Sequence, residues 1–146
     1  MLDKILIPIN ESAIVQRLIK KLPSHLEIPQ KEIYFVYISK PYPPSSYSEV
    51  AYNDYSISIG HHRAACKGHA QNLFNKYHKL LEPAKKIELI HDFDDDISSG
   101  IIQAAKKKKV DVIIMTTHRY TGLKSIFLGD RVHDVIVNSK FPVLVV

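Results

Sequence analysis

Apolar residues along this chain follow two rhythms that take turns. Lys4-Ile5-Leu6-Ile7-Pro8-Ile9 and Ile33 to Ile38 are short, nearly unbroken apolar runs. Runs of that kind predict strands buried on both faces. Between them Ile14, Val15, Leu18, Ile19 and Leu22 recur at helical spacing, with Ser12 ahead of them as a cap and Pro23 behind them as a stop. The segment Pro41-Tyr42-Pro43-Pro44-Ser45-Ser46-Tyr47 predicts a loop, because its three prolines remove backbone donors and restrict their neighbours. A long amphipathic helix is expected next, from about Ile57 or Ile59 to Leu81, ended by Pro83.

The alternation continues to the end of the chain. Lys86 to His91 predicts a third strand, Ile97 to Lys108 a helix, and Asp111 to Thr116 a fourth strand. Asp130 to Ser139 predicts a helix and Pro142 to Val146 a last strand. Strands separated by helices imply right-handed crossovers and a parallel sheet covered on both sides. With no internal repeat and no dividing linker, residues 1–146 are read as a single α/β domain.

Composition narrows the class without naming a function. Apolar residues make up 45% and charged residues 24% of the 146, which is ordinary globular usage. Cys66 is the single cysteine, so no intrachain disulfide forms, and a reducing compartment fits. Asp3 precedes an apolar run too short for a secretory core, and no stretch reaches bilayer-spanning length. The expected location is cytoplasmic, with no membrane partner. The net charge of +5 comes from 20 basic against 15 acidic residues, and the basic ones are spread along the chain. Their densest cluster, Lys106 to Lys109, closes a predicted helix that opens after the acidic run Asp92 to Asp96, as a helix dipole prefers. Nucleic acid is therefore not an expected partner.

In an open parallel sheet, ligands bind beyond the carboxyl ends of the strands, where strand order reverses. That rim would carry Asn10, Ile38-Ser39, Thr116 to Arg119 and Gly129-Asp130. Purely structural roles compete for the same residues. Asn10 also suits an Asx turn, Gly129 a turn and Asp130 a helix cap.

The opening Lys4 to Asn10, the segment Val110 to Arg119, Gly129-Asp130 and the closing Phe141 to Val146 together resemble the universal stress protein family. The resemblance implies a Rossmann-like open five-stranded parallel sheet in the order 3-2-1-4-5, with helices on both faces. It further implies a small regulatory or protective domain of the stress response rather than an enzyme. Members that bind ATP carry the pattern Gly-x2-Gly-x9-Gly-Ser/Thr, whose glycines let backbone N–H groups approach phosphates at a helix N-terminus. Here Thr116 and Arg119 stand at the first two glycine positions, Gly129 is kept, and Asp130 replaces the hydroxyl residue. His118, Gly122-Leu123-Lys124 and Leu128 also fit the family's loop. Asn10 falls where members often have Asp near the adenosine, and Ile38 where a strand residue lends backbone contacts to adenine.

These departures change what the loop can hold. A phosphate about 4 Å from the Asp130 carboxylate would be repelled by on the order of 4 kcal/mol at an effective dielectric of about 20, an upper bound before screening. Arg119 cannot give glycine's close backbone approach; it either pairs with Asp130 or reaches a phosphate itself. The resemblance therefore implies no resident cofactor, and ATP only as an alternative in which the rim is a nucleotide-binding switch. Apolar Pro142 to Val146 is expected at a sheet edge, which tends to pair with another chain. In the family it resembles, that strand pairs with its two-fold mate, so a homodimer is expected, with protein clients that the sequence does not identify.

Other candidates are weaker. His62, Cys66 and His69 would share one helix face and are zinc-ligand types, but no fourth ligand is evident. Asp92, Asp94 and Asp96 have calcium-loop spacing without the required glycine, and Gln103 occupies the closing glutamate position. No metal is expected. No Gly-x-Ser-x-Gly elbow or acid–base pair marks a catalytic centre.

Overall fold

The computed structural model describes residues 2–42, 55–116 and 130–146, with the side chains at 55–58 and 130 outside that description. Its strands are β1 (Lys4–Pro8), β2 (Glu32–Ser39), β3 (Lys86–Phe93), β4 (Val112–Met115) and β5 (Val143–Val145). They form one sheet in the order β3-β2-β1-β4-β5, and every neighbouring pair is parallel. The parallel direction is that expected from the alternation, and the order is that implied by the resemblance. The helices are α1 (Ala13–Lys21), α2 (Tyr55–His78), α3 (Ile97–Lys108) and α4 (Asp130–Asn138).

Strand alternation sorts side chains into two cores. Ile5, Ile7, Ile33 and Phe35 meet Val15, Leu18 and Ile19 of α1 and Leu73 and Tyr77 of α2. Leu6, Tyr34, Val36 and Ile38 face the opposite way, onto α3 and onto Val132 and Val135 of α4. Ile5, Leu6 and Ile7 are all wholly buried, which explains why β1 reads as a continuous apolar run. Each such side chain contributes about 1.5–3 kcal/mol of burial free energy.

Local signals set the helix ends. Ser12 Oγ accepts the Ile14 N–H at 3.2 Å to start α1. Asp96 accepts the Ser98 N–H at 3.1 Å, and Asp94 accepts the Asp96 N–H at 2.9 Å, so the acidic run opens α3. Lys109 closes that helix at φ 52°, and its N–H reaches the carbonyls of Ala105 and Lys106.

Several boundaries differ by a residue or a few from the pattern-based expectation, and two of the shifts have a visible cause. β3 continues through Asp92 and Phe93, because its register with β2 runs on to Ser39 and the Asp94 N–H bonds the Ser39 carbonyl at 3.0 Å. α2 stops at His78 rather than Leu81, since the next N–H groups tighten to three-residue bonds, Leu80 to Tyr77 and Leu81 to His78.

Gly100 of α3 lies tight against the sheet. A Cβ there would lie 2.8 Å from Ile38 Cγ2, with two more carbons of the same side chain at 2.9 Å. Gly68 of α2 has open space instead. We expect Gly100→Ala to destabilise the fold by about 1–3 kcal/mol through overpacking. Gly68→Ala should stabilise it by up to about 1 kcal/mol through helix propensity. Urea unfolding of the two variants checks both signs; a stabilised Gly100→Ala would refute the close packing.

Candidate functional site

β1 lies at the centre of the sheet and its chain leaves toward β2 on one side, while β4 flanks it on the other. The switch in strand order therefore falls at the carboxyl ends of β1 and β4, the usual place for a ligand in such sheets. Asn10, Ile38 and Thr116 all sit along that rim, at or just past the ends of three adjacent strands. His118, Arg119 and Gly129 lie outside the described residues. Asp130 opens α4, where a capping acid was expected, but its side chain is likewise outside the description.

Asn10 is engaged twice by the protein itself. Its Oδ1 accepts the Ser12 N–H at 2.8 Å, the Asx-turn geometry, and its carbonyl accepts the Tyr77 hydroxyl at 2.7 Å. Tyr77 is wholly buried, and burial pushes its phenol pKa up, keeping it a donor. The structural role proposed for Asn10 is thus filled.

Ile38 offers its backbone rather than its side chain. The last rung between β1 and β2 runs from the Ile9 N–H to the Val36 carbonyl, 2.9 Å. Peptide groups on a strand alternate between its two edges, so Ile38 presents its N–H and C=O on the same edge as Val36, one step past that rung. Its side chain is buried against α3. Thr116, half-buried, is the first residue beyond β4, whose last carbonyl, on Met115, accepts the Val146 N–H at 3.0 Å.

Next to this rim, on the α2 side, lies a cluster of which the sequence pattern announced only His62, Cys66 and His69. Ser39 Oγ and His91 Nε2 are hydrogen-bonded at 2.8 Å. The Tyr37 ring lies edge-on to His69, with centroids 5.5 Å apart, and tilted against His91 at 5.8 Å. His91 in turn packs on Phe93, and the Arg63 guanidinium lies 5.0 Å from the centre of that ring. His69 Nε2 lies 3.4 Å from the Glu11 carboxylate. The Glu11 pKa is held down first by its own backbone N–H, then by His69 and by the charge of Arg131, and only partial burial opposes this. His62 donates from Nε2 to the Lys40 carbonyl at 2.8 Å, and Cys66 Sγ sits 3.6 Å from the same nitrogen. Register pairing of Tyr37 with His91 and of Ser39 with Phe93 assembles this group. Those pairings join residues far apart in sequence, so spacing alone could not reveal them.

The zinc candidate does not form. His62 and Cys66 are neighbours, but His69 turns to Glu11 and Tyr37. Among the described residues no group of three metal-ligating side chains converges. Asp94 and Asp96 instead serve as turn and cap acceptors at the start of α3.

The profile of the Universal stress protein family matches residues 1–146. The chain belongs to that family. Universal stress protein MJ0531 of Methanocaldococcus jannaschii is 50% identical over 49 residues, which is 34% of this chain and 29% of that protein. The match therefore spans less than a third of the curated relative. The solved structure of MJ0577, from the same organism, superposes with a TM-score of 0.70 at 25% identity, covering 100% of this chain and 96% of that one. A universal stress protein from Archaeoglobus fulgidus, solved in complex with dAMP, gives a TM-score of 0.61 at 16% identity, covering 99% of this chain and 98% of that one. This universal stress protein domain thus keeps the family's sheet order, with β1 and β4 at the switch. Among the described residues no helix is long and apolar enough to cross a membrane.

The His91 environment gives a pH test. Burial disfavours the imidazolium, so the His91 pKa is lowered in the folded chain, and neighbouring Asp92 offsets this only in part. The unfolded chain then takes up the proton first. His91's contribution to stability is full above the ordinary histidine value of about 6.5 and declines as pH falls from there toward the lower folded value. We expect the melting temperature to drop between about pH 7.5 and 5.5, and His91→Gln to flatten part of that drop. Melting curves that keep the same pH dependence in the variant would rule out this role.

Proposed function

We propose that this protein is a regulatory domain of the stress response, not a dedicated enzyme, whose rim does not cradle ATP in the family's usual manner. The observation that carries this reading is the occupation of Asn10. A residue placed near the adenosine in the family is here tied to Ser12 and Tyr77 at 2.8 and 2.7 Å. The sequence supports it further, with Thr116, Arg119 and Asp130 at positions where phosphate-cradling members carry glycine or a hydroxyl. An aspartate at a helix N-terminus places a negative charge where the phosphates would go.

A second reading is favoured by the Ile38 backbone edge. That edge lies past the last β1–β2 rung and offers a donor and an acceptor to a flat, polar-edged ligand such as adenine. The relative solved with dAMP supports a monophosphate as the nucleotide form to test. Such a ligand needs fewer phosphate contacts and is less exposed to the Asp130 charge.

Calorimetric titration with AMP and with Mg-ATP separates these readings. The unmodified protein is expected to bind ATP no better than AMP, or neither. Asp130→Ser combined with Arg119→Gly should raise ATP affinity by more than the sum of the single changes, and AMP affinity much less. Low-micromolar ATP binding by the unmodified chain would make Arg119 a phosphate ligand and defeat the first reading.

The domain is further proposed to act as an isologous homodimer through its C-terminal strand. β5 is an edge strand, and Leu144 and Val146 are 47% and 53% exposed. An apolar edge of this kind is a template for pairing. Light scattering at micromolar concentration should give a dimer, and Leu144→Asp a monomer that still folds. A monomeric unmodified chain would refute the assembly.

A further inference from the structure

Lysines that look scattered in the sequence gather at one end of the fold. In a parallel sheet every strand starts at the same edge, and each crossover helix returns the chain to it. Lys4 opens β1, Lys31 directly precedes β2, Lys85 and Lys86 stand at the start of β3, and Lys140 lies in the turn ahead of β5. Lys106, Lys107 and Lys108 end α3 and Lys109 caps it, just before β4. Lys20 and Lys21 end α1, and Lys76 ends α2. Helix dipoles account for each helix-end cluster alone. The topology turns all of them, with the strand-start lysines, into one basal face.

The acids at this end mostly serve the protein. The Asp111 carboxylate accepts the N–H groups of Asp3 and Lys4, both at 2.9 Å. Glu88 pairs with Lys86 and Lys108, Asp3 with the largely covered Lys31 at 3.3 Å, Glu32 accepts the Tyr34 hydroxyl, and Glu82 lies 3.4 Å from His78. The opposite end carries Glu11 and the run Asp92, Asp94, Asp95 and Asp96. The twelve lysines named at this end outnumber its six acids, Asp3, Glu27, Glu32, Glu82, Glu88 and Asp111, so the base carries a positive excess of its own.

We propose that this basal face binds double-stranded nucleic acid through its phosphates, without reading sequence. Lysine heads are compact, strongly hydrated point charges suited to phosphates and not to bidentate base readout. Five strands about 4.8 Å apart make a row roughly 19 Å wide. Duplex DNA carries one charge per about 1.7 Å of axis, so the row spans on the order of ten phosphates. Single strands are held largely by stacking on aromatic rings. Among the described residues no tyrosine or phenylalanine is exposed at this end. A bilayer surface would need many apolar anchors beside the charge, and at this end only Leu2, Ile136 and Val137 among the described residues are large, apolar and exposed, against twelve lysines. The surface lies opposite the rim and stands independently of any nucleotide there.

Fluorescence anisotropy of the full chain with a labelled duplex of about 20 base pairs and arbitrary sequence tests the proposal, at about 50 and 200 mM salt. Binding is expected at the lower salt and should weaken steeply at the higher. Lys106→Ala with Lys107→Ala should weaken it at least about fivefold and reduce the log–log salt slope by about 0.9 for each phosphate no longer neutralised. The rim pair Lys40→Ala with Lys67→Ala removes the same charge and should change affinity less than about twofold, since those charges lie beyond a Debye length from the base. Circular dichroism melting verifies that both variants fold. The absence of duplex binding at the lower salt would overturn the proposal, as would equal losses in the two pairs. Binding to phosphatidylserine vesicles without duplex binding would overturn it in favour of a membrane surface.

Discussion

The fold depends on β1 having no surface of its own. Its three central side chains are wholly buried, two to one side and one to the other, and its backbone is bonded to β2 and β4. A strand so enclosed fixes where the chain enters and leaves. At the entry, the Asp111 carboxylate holds the N–H groups of Asp3 and Lys4 and so ties the start of β1 to the start of β4. At the exit, the Asn10 side chain turns the chain into α1 while Tyr77 reaches from α2 to the Asn10 carbonyl. The candidate rim lies at that exit because no earlier point of β1 has an edge to spare.

Much of the fold was legible in the sequence because its signals are local or periodic. Unbroken apolar runs predicted the buried strands, and Ser12 and the acid-to-lysine polarity of α3 predicted helix ends that the structure keeps. The sheet order came from resemblance, since nothing in the spacing of β1 to β5 dictates which strand lies next to which. The extension of β3 through Asp92 and Phe93 was hidden because an acidic run reads as loop or cap. Only its register against Ser39 makes it strand.

The candidate site was legible in part, for a related reason. Asn10, Ile38 and Thr116 lie at strand ends, so predicting the strands placed them on the rim. The contacts around His91, Ser39, Tyr37, His69 and Glu11 depend on cross-strand neighbours and on how α2 lies over them. They make α2 a neighbour of the rim: His69 on that helix touches Glu11, and His91 on β3 holds Ser39. The basal lysines show the same limit in reverse. Their distances along the chain are large, and only parallel topology makes them adjacent.

The close approach of Gly100 to Ile38 has a bearing on recognition at the rim. The Ile38 side chain is packed between its own sheet and a helix without a Cβ to spare, which would oppose movement of the backbone it anchors. The donor and acceptor that it presents are a rigid ruler rather than an adjustable clasp. A ligand that fits this edge loses little to ordering the protein, and one whose polar atoms are spaced differently finds no compensating adjustment. Discrimination at this point would then come from the ligand's outline, set by the packing behind the strand and not by any side chain that touches it.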